Sequence, residues 1–382
     1  MLKGFIFIVV FCAVQGYKIP RRLQQENSCG PPKGELCVEI RKCPFFAELL
    51  DKTPIPRPRR VIDIIRAHHC GFHGNSPKVC CSTLMPQNLK TPQKSENQVP
   101  DVSNHPNLRL LPTENCGTII NDFRITSGAK TGVKEFPWMA LLAYLTKAGI
   151  EFRCGGSLIN DEYILTAAHC VESQELIGVR LGEHDIQTDK DCDIHGEYCA
   201  PPVQDFYIED VIVHPDYKTS SFSNDIAIIK LATKVNLTYD NVKPICLPIG
   251  DLSDLDLDGK FAVIAGWGVT ETGYKSPVLL KTSVPVVPND ECSRIYEGYQ
   301  TSIDFKQLCA GGYLGRDSCA GDSGGPLKYV TSLAGTPKYV QYGIVSFGPK
   351  YCGIGTQPGV YTRISYFLKW ILDNLKPPEK QS

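Results

Sequence analysis

The run Asp317-Ser318-Cys319-Ala320-Gly321-Asp322-Ser323-Gly324-Gly325-Pro326 sets a serine among glycines, with one acidic residue directly before it and another six positions upstream. A serine hydroxyl is a weak nucleophile until a base takes its proton, and that base needs a third group to orient it. The amides of Gly321 and Ser323 would face the oxygen that turns negative when the hydroxyl attacks a carbonyl. Gly-Asp-Ser-Gly alone suits a polar turn equally well, so the partners decide. Of eight histidines, His68, His69, His73, His105, His184, His195 and His214 stand in no chemical context. His169, in Thr166-Ala167-Ala168-His169-Cys170, does. Asp225, in Asn224-Asp225-Ile226-Ala227-Ile228-Ile229-Lys230-Leu231, directly precedes an apolar run that reads as a buried strand. A serine, an imidazole and a carboxylate together would perform acyl transfer.

These three segments resemble the active-site segments of the trypsin-like serine proteases. The order His169, Asp225, Ser323 is that family's, and not that of the subtilisin or α/β-hydrolase types. The resemblance implies a pocket with Asp317 at its base, Gly348 and Gly359 in its walls, and Ser318 and Ser346 beside it; Ser346 also hydrogen-bonds Asp225. A carboxylate there pairs with the guanidinium of a substrate arginine, or with lysine second. Phe347 stands where the family has tryptophan, and Phe222 borders the adjacent subsite. The resemblance also implies activation by a cut after Arg124. The freed ammonium of Ile125 would then fold in to pair with Asp322. Thr126 and Ser127 depart from the usual Ile-Val-Gly-Gly start, while Ile125 and Gly128 keep it.

The elements that must position these residues read as all-β from Ile125 onward. Phe152–Ile159, Glu209–Val213, Ile226–Leu231, Phe261–Ala265, Tyr339–Ser346 and Gly359–Arg363 are the expected strands. Phe367, Trp370, Ile371 and Leu375 recur at helical spacing, so Ser365 to Leu375 is the expected closing helix. The family fold, two β-barrels and a C-terminal helix, would span 125–376. Residues 1–16 read as a secretory signal peptide: one lysine, a short apolar core and Gly16 at its end. No later segment could span a bilayer. A net charge of −1 favours neither nucleic acid nor an anionic membrane as partner.

There are 17 cysteines, and Cys12 lies in the signal peptide, which leaves 16. An even number in an oxidising compartment implies disulfides. The irregular spacings lack the paired Cys-x-x-Cys pattern of structural zinc sites. Six cysteines in 29–81, ending in the adjacent Cys80-Cys81, resemble the clip domain of arthropod serine proteases. That resemblance implies Cys29–Cys80, Cys37–Cys70 and Cys43–Cys81; spacing alone leaves 15 pairings open. Family analogy further implies Cys154–Cys170, Cys292–Cys309 closing a surface loop, and Cys319–Cys352 bracing the pocket. Cys116–Cys246 would tether the light chain, and Cys192–Cys199 would staple one loop. Within the clip module, Thr53 to Arg60 is a basic loop. Residues 82–124 read as a flexible linker and activation segment, rich in Pro, Asn, Gln and Lys. Asn236-Leu237-Thr238 is an N-glycosylation sequon.

Catalysis of this kind needs no cofactor. The loop beginning at Glu183 matches the calcium loop of trypsins, and its Asp189, Asp191, Asp193 and Glu197 equally suit a solvated acidic loop held by Cys192–Cys199. The expectation is a secreted haemolymph zymogen cleaving after Arg in an arthropod immune cascade, either melanisation through prophenoloxidase or Toll-ligand processing. Its partners would be a trypsin-like activator, protein zymogen substrates and serpin-type inhibitors. The rivals are a non-catalytic clip homologue that only binds, which the intact Ser323, His169 and Asp225 oppose, a clotting protease, and a digestive trypsin, which would carry a short propeptide.

Overall fold

The structure, a computed structural model, describes residues 35–43, 46–47, 50–51, 62, 65–66, 68–73, 76–82, 99–119, 129–172, 175–270, 272–299, 301–312, 317–349 and 357–377. The signal peptide over 1–16, Cys29, the basic loop Thr53 to Arg60, the activation segment with Arg124 and Ile125, and Cys352 lie outside these residues. The chain divides into two compact units, with the boundary between Gln93 and Lys94. Among the described residues no helix is long and apolar enough to cross a membrane.

In the first unit, Glu35–Glu39 and His69–His73 flank Ser76–Ser82 in a three-stranded antiparallel sheet. Among the described residues its buried core is Ile40, Cys43, Phe46 and Val79, a set too small to hold a fold by burial alone. Cys37–Cys70 and Cys43–Cys81 make up the deficit, each worth roughly 2–4 kcal/mol. Cys80 is also disulfide-bonded.

The second unit is built on two seven-stranded antiparallel sheets. One runs Ile208–Val213, Ala227–Leu231, Tyr163–Thr166, Gly149–Leu158, Met139–Thr146, Leu176–Leu181, Gln204–Phe206. The other runs Phe261–Gly266, Pro326–Leu333, Thr336–Phe347, Gly359–Arg363, Gln307–Ala310, Leu280–Val287, Ala129–Lys130, and pairing of Phe261–Gly266 with Leu280–Val287 closes it. This is the expected all-β double barrel. The closing helix, Ile364–Asn374, buries Ile364, Phe367, Leu368, Ile371 and Leu372, one stripe of a 3.6-residue repeat.

One expectation needs correction. Residues 99–119 are not a free linker, for they pack on the rest of the second unit. Val102 and Leu111 enter its core, and Pro106–Leu110 forms a 3-10 turn. Asn107 Nδ2 donates to the carbonyls of Leu372 and Leu375, at 3.0 and 2.9 Å, and so satisfies the end of the closing helix. Cys116–Cys246 anchors the far end of this strap. Cys292–Cys309 joins the helix Asn289–Glu297 to the strand Gln307–Ala310, with both cysteines fully buried and the exposed stretch around Tyr299 between them.

Candidate active site

His169 lies in the single turn Ala168–Cys170, directly after the wholly buried strand Tyr163–Thr166, and Cys154–Cys170 ties that turn to Gly149–Leu158. Asp225 stands just before Ala227–Leu231, which pairs antiparallel with Tyr163–Thr166, Ala227 opposite Thr166. An antiparallel pair brings the end of one strand beside the start of the other, and the two side chains meet there. His169 Nδ1 is 2.8 Å from Asp225 Oδ2, and the His169 amide donates to Oδ1 at 3.0 Å. With Nδ1 given to the carboxylate, Nε2 is the nitrogen left to act as base.

Asp225 has no exposure at all, and a buried carboxylate is costly unless its oxygens are satisfied. Ser346 Oγ donates to Oδ2 at 2.5 Å, and Thr362 Oγ1 donates to the Asp225 backbone carbonyl at 2.7 Å. Both hydroxyls come from strands of the second sheet, so the orienting acid is clamped between the barrels. Thr362 is a functional residue that sequence reasoning missed; only its place in a buried strand marked it. Asn224, with a left-handed φ of 55°, is pinned on both sides. Its Nδ2 donates to Asp216 O and its Oδ1 accepts from Lys306 Nζ. Phe222 sets its ring edge-on to His169 at 5.7 Å and packs on Phe347 at 5.4 Å.

Ser323 sits on a turn pressed against the histidine's strand. The Gly155 amide donates to Ser323 O at 2.8 Å, and Thr166 Oγ1 donates to Gly155 O at 2.8 Å. A Cβ at Gly324, whose φ is +78°, would lie 2.2 Å from Thr166 Oγ1, so only glycine permits this approach. Gly321 also requires glycine, at φ +103°. Among the described residues neither the Gly321 nor the Ser323 amide donates a hydrogen bond, which leaves both free for an oxyanion.

Two carboxylates flank this turn with separate roles. Asp322 points away from the nucleophile, into a niche where it accepts from the amides of Gly268 at 2.8 Å and Cys319 at 2.9 Å. Burial pushes its carboxyl up to about 6. Asp317 is held through Oδ1 by the Ser318 amide at 2.8 Å, while Oδ2 is out of reach of solvent and has no partner among the described residues. Burial outweighs the amides of Ser318 and Gly359 and pushes this carboxyl up to about 7. A Cβ on Gly359 would lie 2.7 Å from Asp317 Oδ1, and one on Gly348 would meet Gly359 Cα at 3.5 Å. Glycine at both positions keeps the space before Asp317 open. Tyr361 OH donates to Ser318 Oγ at 3.2 Å, closing the back of the pocket.

In the acidic loop several carboxylates already have partners within the chain. Glu183 is bonded to Arg180 and to the His184 amide. Asp191 and Asp193 spend their oxygens on amides of the loop itself, those of His184 and Asp185 and those of His195, Glu197 and Tyr198. Cys192–Cys199 staples the loop. Cys319 is disulfide-bonded. Asn236 is exposed, and its Oδ1 accepts from Thr238 Oγ1 at 2.7 Å.

Residues 125–371 match the family described as Trypsin, and residues 24–81 match the regulatory CLIP domain of proteinases. This chain belongs to the clip-domain serine proteases of the trypsin family. Melanization protease 1 of Drosophila melanogaster is 36% identical to this clip protease over 404 residues, spanning 98% of this chain and 100% of that one. Spaetzle-processing enzyme of the same organism is 37% identical over 382 residues, spanning 92% of each. The crystal structure of the Drosophila Grass clip serine protease of the Toll pathway superposes with a TM-score of 0.61 at 34% identity, covering 91% of this clip protease and 97% of Grass. The protein is thus a serine endopeptidase.

Proposed function

We propose that this clip protease is a secreted zymogen, activated by cleavage after Arg124, that cuts protein substrates after arginine, with lysine second, in an extracellular immune cascade of an arthropod. The observation that carries the specificity is Asp317 Oδ2, an acceptor shut off from solvent and left without a partner among the described residues. Such an atom is costly, and a substrate guanidinium entering between Gly348 and Gly359 relieves it with a charge-assisted bond.

In the chemical cycle, His169 Nε2 takes the Ser323 proton as the hydroxyl attacks the scissile carbonyl. The Gly321 and Ser323 amides receive the oxyanion, each worth about 2.7–4 kcal/mol. Asp225 keeps the imidazole's tautomer and stabilises it once charged. The imidazolium then protonates the leaving amine, and water repeats the sequence to release the acyl group. None of these steps calls for a cofactor.

Asp322 supports the activation step. Its carboxyl meets only two amides among the described residues, so the ammonium of a new Ile125 terminus would find an acid waiting for it. Breaking such a buried pair costs about 3–5 kcal/mol, enough to couple the cut to the shape of the Gly321 turn. Because residue 124 is arginine, the activator shares the same specificity. Cys116–Cys246 would keep the strap attached afterwards. The names of the relatives point the cascade role toward melanisation or Toll-ligand processing, with zymogens as substrates and serpin-type inhibitors as regulators. A glycan on exposed Asn236 and release into haemolymph belong to the same proposal. The test is incubation of the cleaved enzyme with candidate cascade zymogens, followed by N-terminal sequencing of the products. New termini following arginine are expected, and Ser323→Ala should produce none. Cutting by Ser323→Ala would refute the assignment.

A further inference from the structure

The pocket fixes the direction in which substrate must lie. The side chain before the scissile bond enters on the Asp317 side of Ser323. The opposite side of the nucleophile is bounded by the strand Gly149–Leu158, whose Gly155 amide donates to Ser323 O. Residues after the scissile bond therefore run toward Phe152 and Cys154.

Lys275 reaches across that path. It stands at the foot of a short hairpin whose Val269 pairs with Lys275, on the second barrel's side of the cleft. Its Nζ donates to Phe152 O, in the first barrel, at 2.9 Å. Its Cε lies 3.6 Å from the point where a Cβ on Gly321 would be, so the stem passes beside the oxyanion turn. Among the described residues, Glu151 and Arg153, 3.0 Å apart, are charges on this side. The hydrogen bond from Arg153 first, then that from Thr146, holds the Glu151 carboxyl below its usual range, with Lys275 adding a smaller effect. Glu151 and Arg153 offset each other, and among the described residues Lys275 has a neutral carbonyl, not a carboxylate, as its hydrogen-bond partner.

We infer that Lys275 is a specificity-determining residue for the leaving-group side of the cleft, favouring an acidic side chain in the two positions after the scissile bond. The inference rests on the endopeptidase reading and adds a second selection to it. A carboxylate arriving there replaces the neutral Phe152 carbonyl as partner of the ammonium, and a charge-assisted bond is the stronger of the two. Because Lys275 is exposed, the gain is modest, about two- to fivefold in kcat/KM, and it is screened by salt.

The test uses the activated full-length enzyme and internally quenched peptides identical up to the arginine, carrying Glu, Gln or Lys in the two positions after it. The expected order is Glu, then Gln, then Lys, with the spread narrowing at high salt. Lys275→Arg should keep the order, Lys275→Ala should flatten it, and Lys275→Glu should reverse it. Peptides cut at the same rate by all four enzymes, or an order that survives Lys275→Ala, would overturn the inference while leaving the peptidase intact. Failure to cut any of the peptides would overturn the endopeptidase reading and this inference with it.

Discussion

Replacing Asp317 with serine removes the one acid placed to meet a substrate cation, and the structure sets the scale of the loss. Oδ1 is held by the Ser318 amide, and Oδ2 is buried with no partner among the described residues. Asp317→Ser would therefore leave a guanidinium desolvated by the pocket without a counter-charge. Truncating one member of a buried, hydrogen-bonded charge pair costs about 2–5 kcal/mol. At that size kcat/KM for an arginine peptide should fall about 30- to 5,000-fold. The assay compares peptidyl-Arg, peptidyl-Lys and peptidyl-Leu amides on enzyme cleaved after Arg124, with the melting temperature checked against wild type. Leucine turnover, limited by the chemistry and not by the missing charge, should change far less than arginine turnover. A loss for arginine smaller than about fivefold, or equal losses for arginine and leucine in a folded enzyme, would refute the argument from the unpartnered oxygen.

The raised Asp317 carboxyl, at about 7 in the empty pocket, gives a pH dependence with a definite sign. A cationic inhibitor needs the ionised form, so its binding should weaken as pH falls below about 7, by up to tenfold per unit, and should release a proton measurable by calorimetry in buffers of different ionisation enthalpy. Between about pH 4 and 7 the folded state holds this proton while the unfolded chain has lost it, so the group's contribution to stability should decline as pH rises through that window. Asn107→Ala would orphan the carbonyls of Leu372 and Leu375, at about 1–3 kcal/mol. Scanning calorimetry should then show a melting temperature lower by several degrees, whereas no change would reduce the strap to a passive tether. Chelation should leave the melting temperature where it was, because Glu183, Asp191 and Asp193 already have partners within the chain; a clear drop would show a calcium site.

Sequence reasoning reached furthest where residue type and local pattern coincide. Asp225 ahead of Ile226–Leu231 was legible because a buried strand beginning at an acid has few other uses. The strands around Gly359 and Phe261 followed from apolar runs bounded by turn residues. Met139–Thr146 was not singled out, since most of its residues are buried and it shows no alternation. The helix Asn289–Glu297 is short and polar, and only Cys292 and Tyr296 face inward. The strap over 99–119 reads as linker by composition, because its hold on the fold comes from scattered apolar side chains, one capping asparagine and the Cys116–Cys246 bridge. Thr362 and Lys306 act through partners far away in the chain, Asp225 and Asn224, so no local pattern could reveal them. The acidic loop left two readings open, because a carboxylate that caps an amide and one that binds calcium are the same letter.

The central claim is that Ser323 becomes an activated nucleophile when Arg124–Ile125 is cut. A fluorophosphonate reagent, applied to intact and cleaved protein with the adduct located by mass spectrometry, tests it directly. Rapid modification of Ser323 after cleavage, slow modification before it, and none in His169→Ala is the predicted result. An unmodified Ser323 in the cleaved enzyme, or equal labelling before and after the cut, would contradict it.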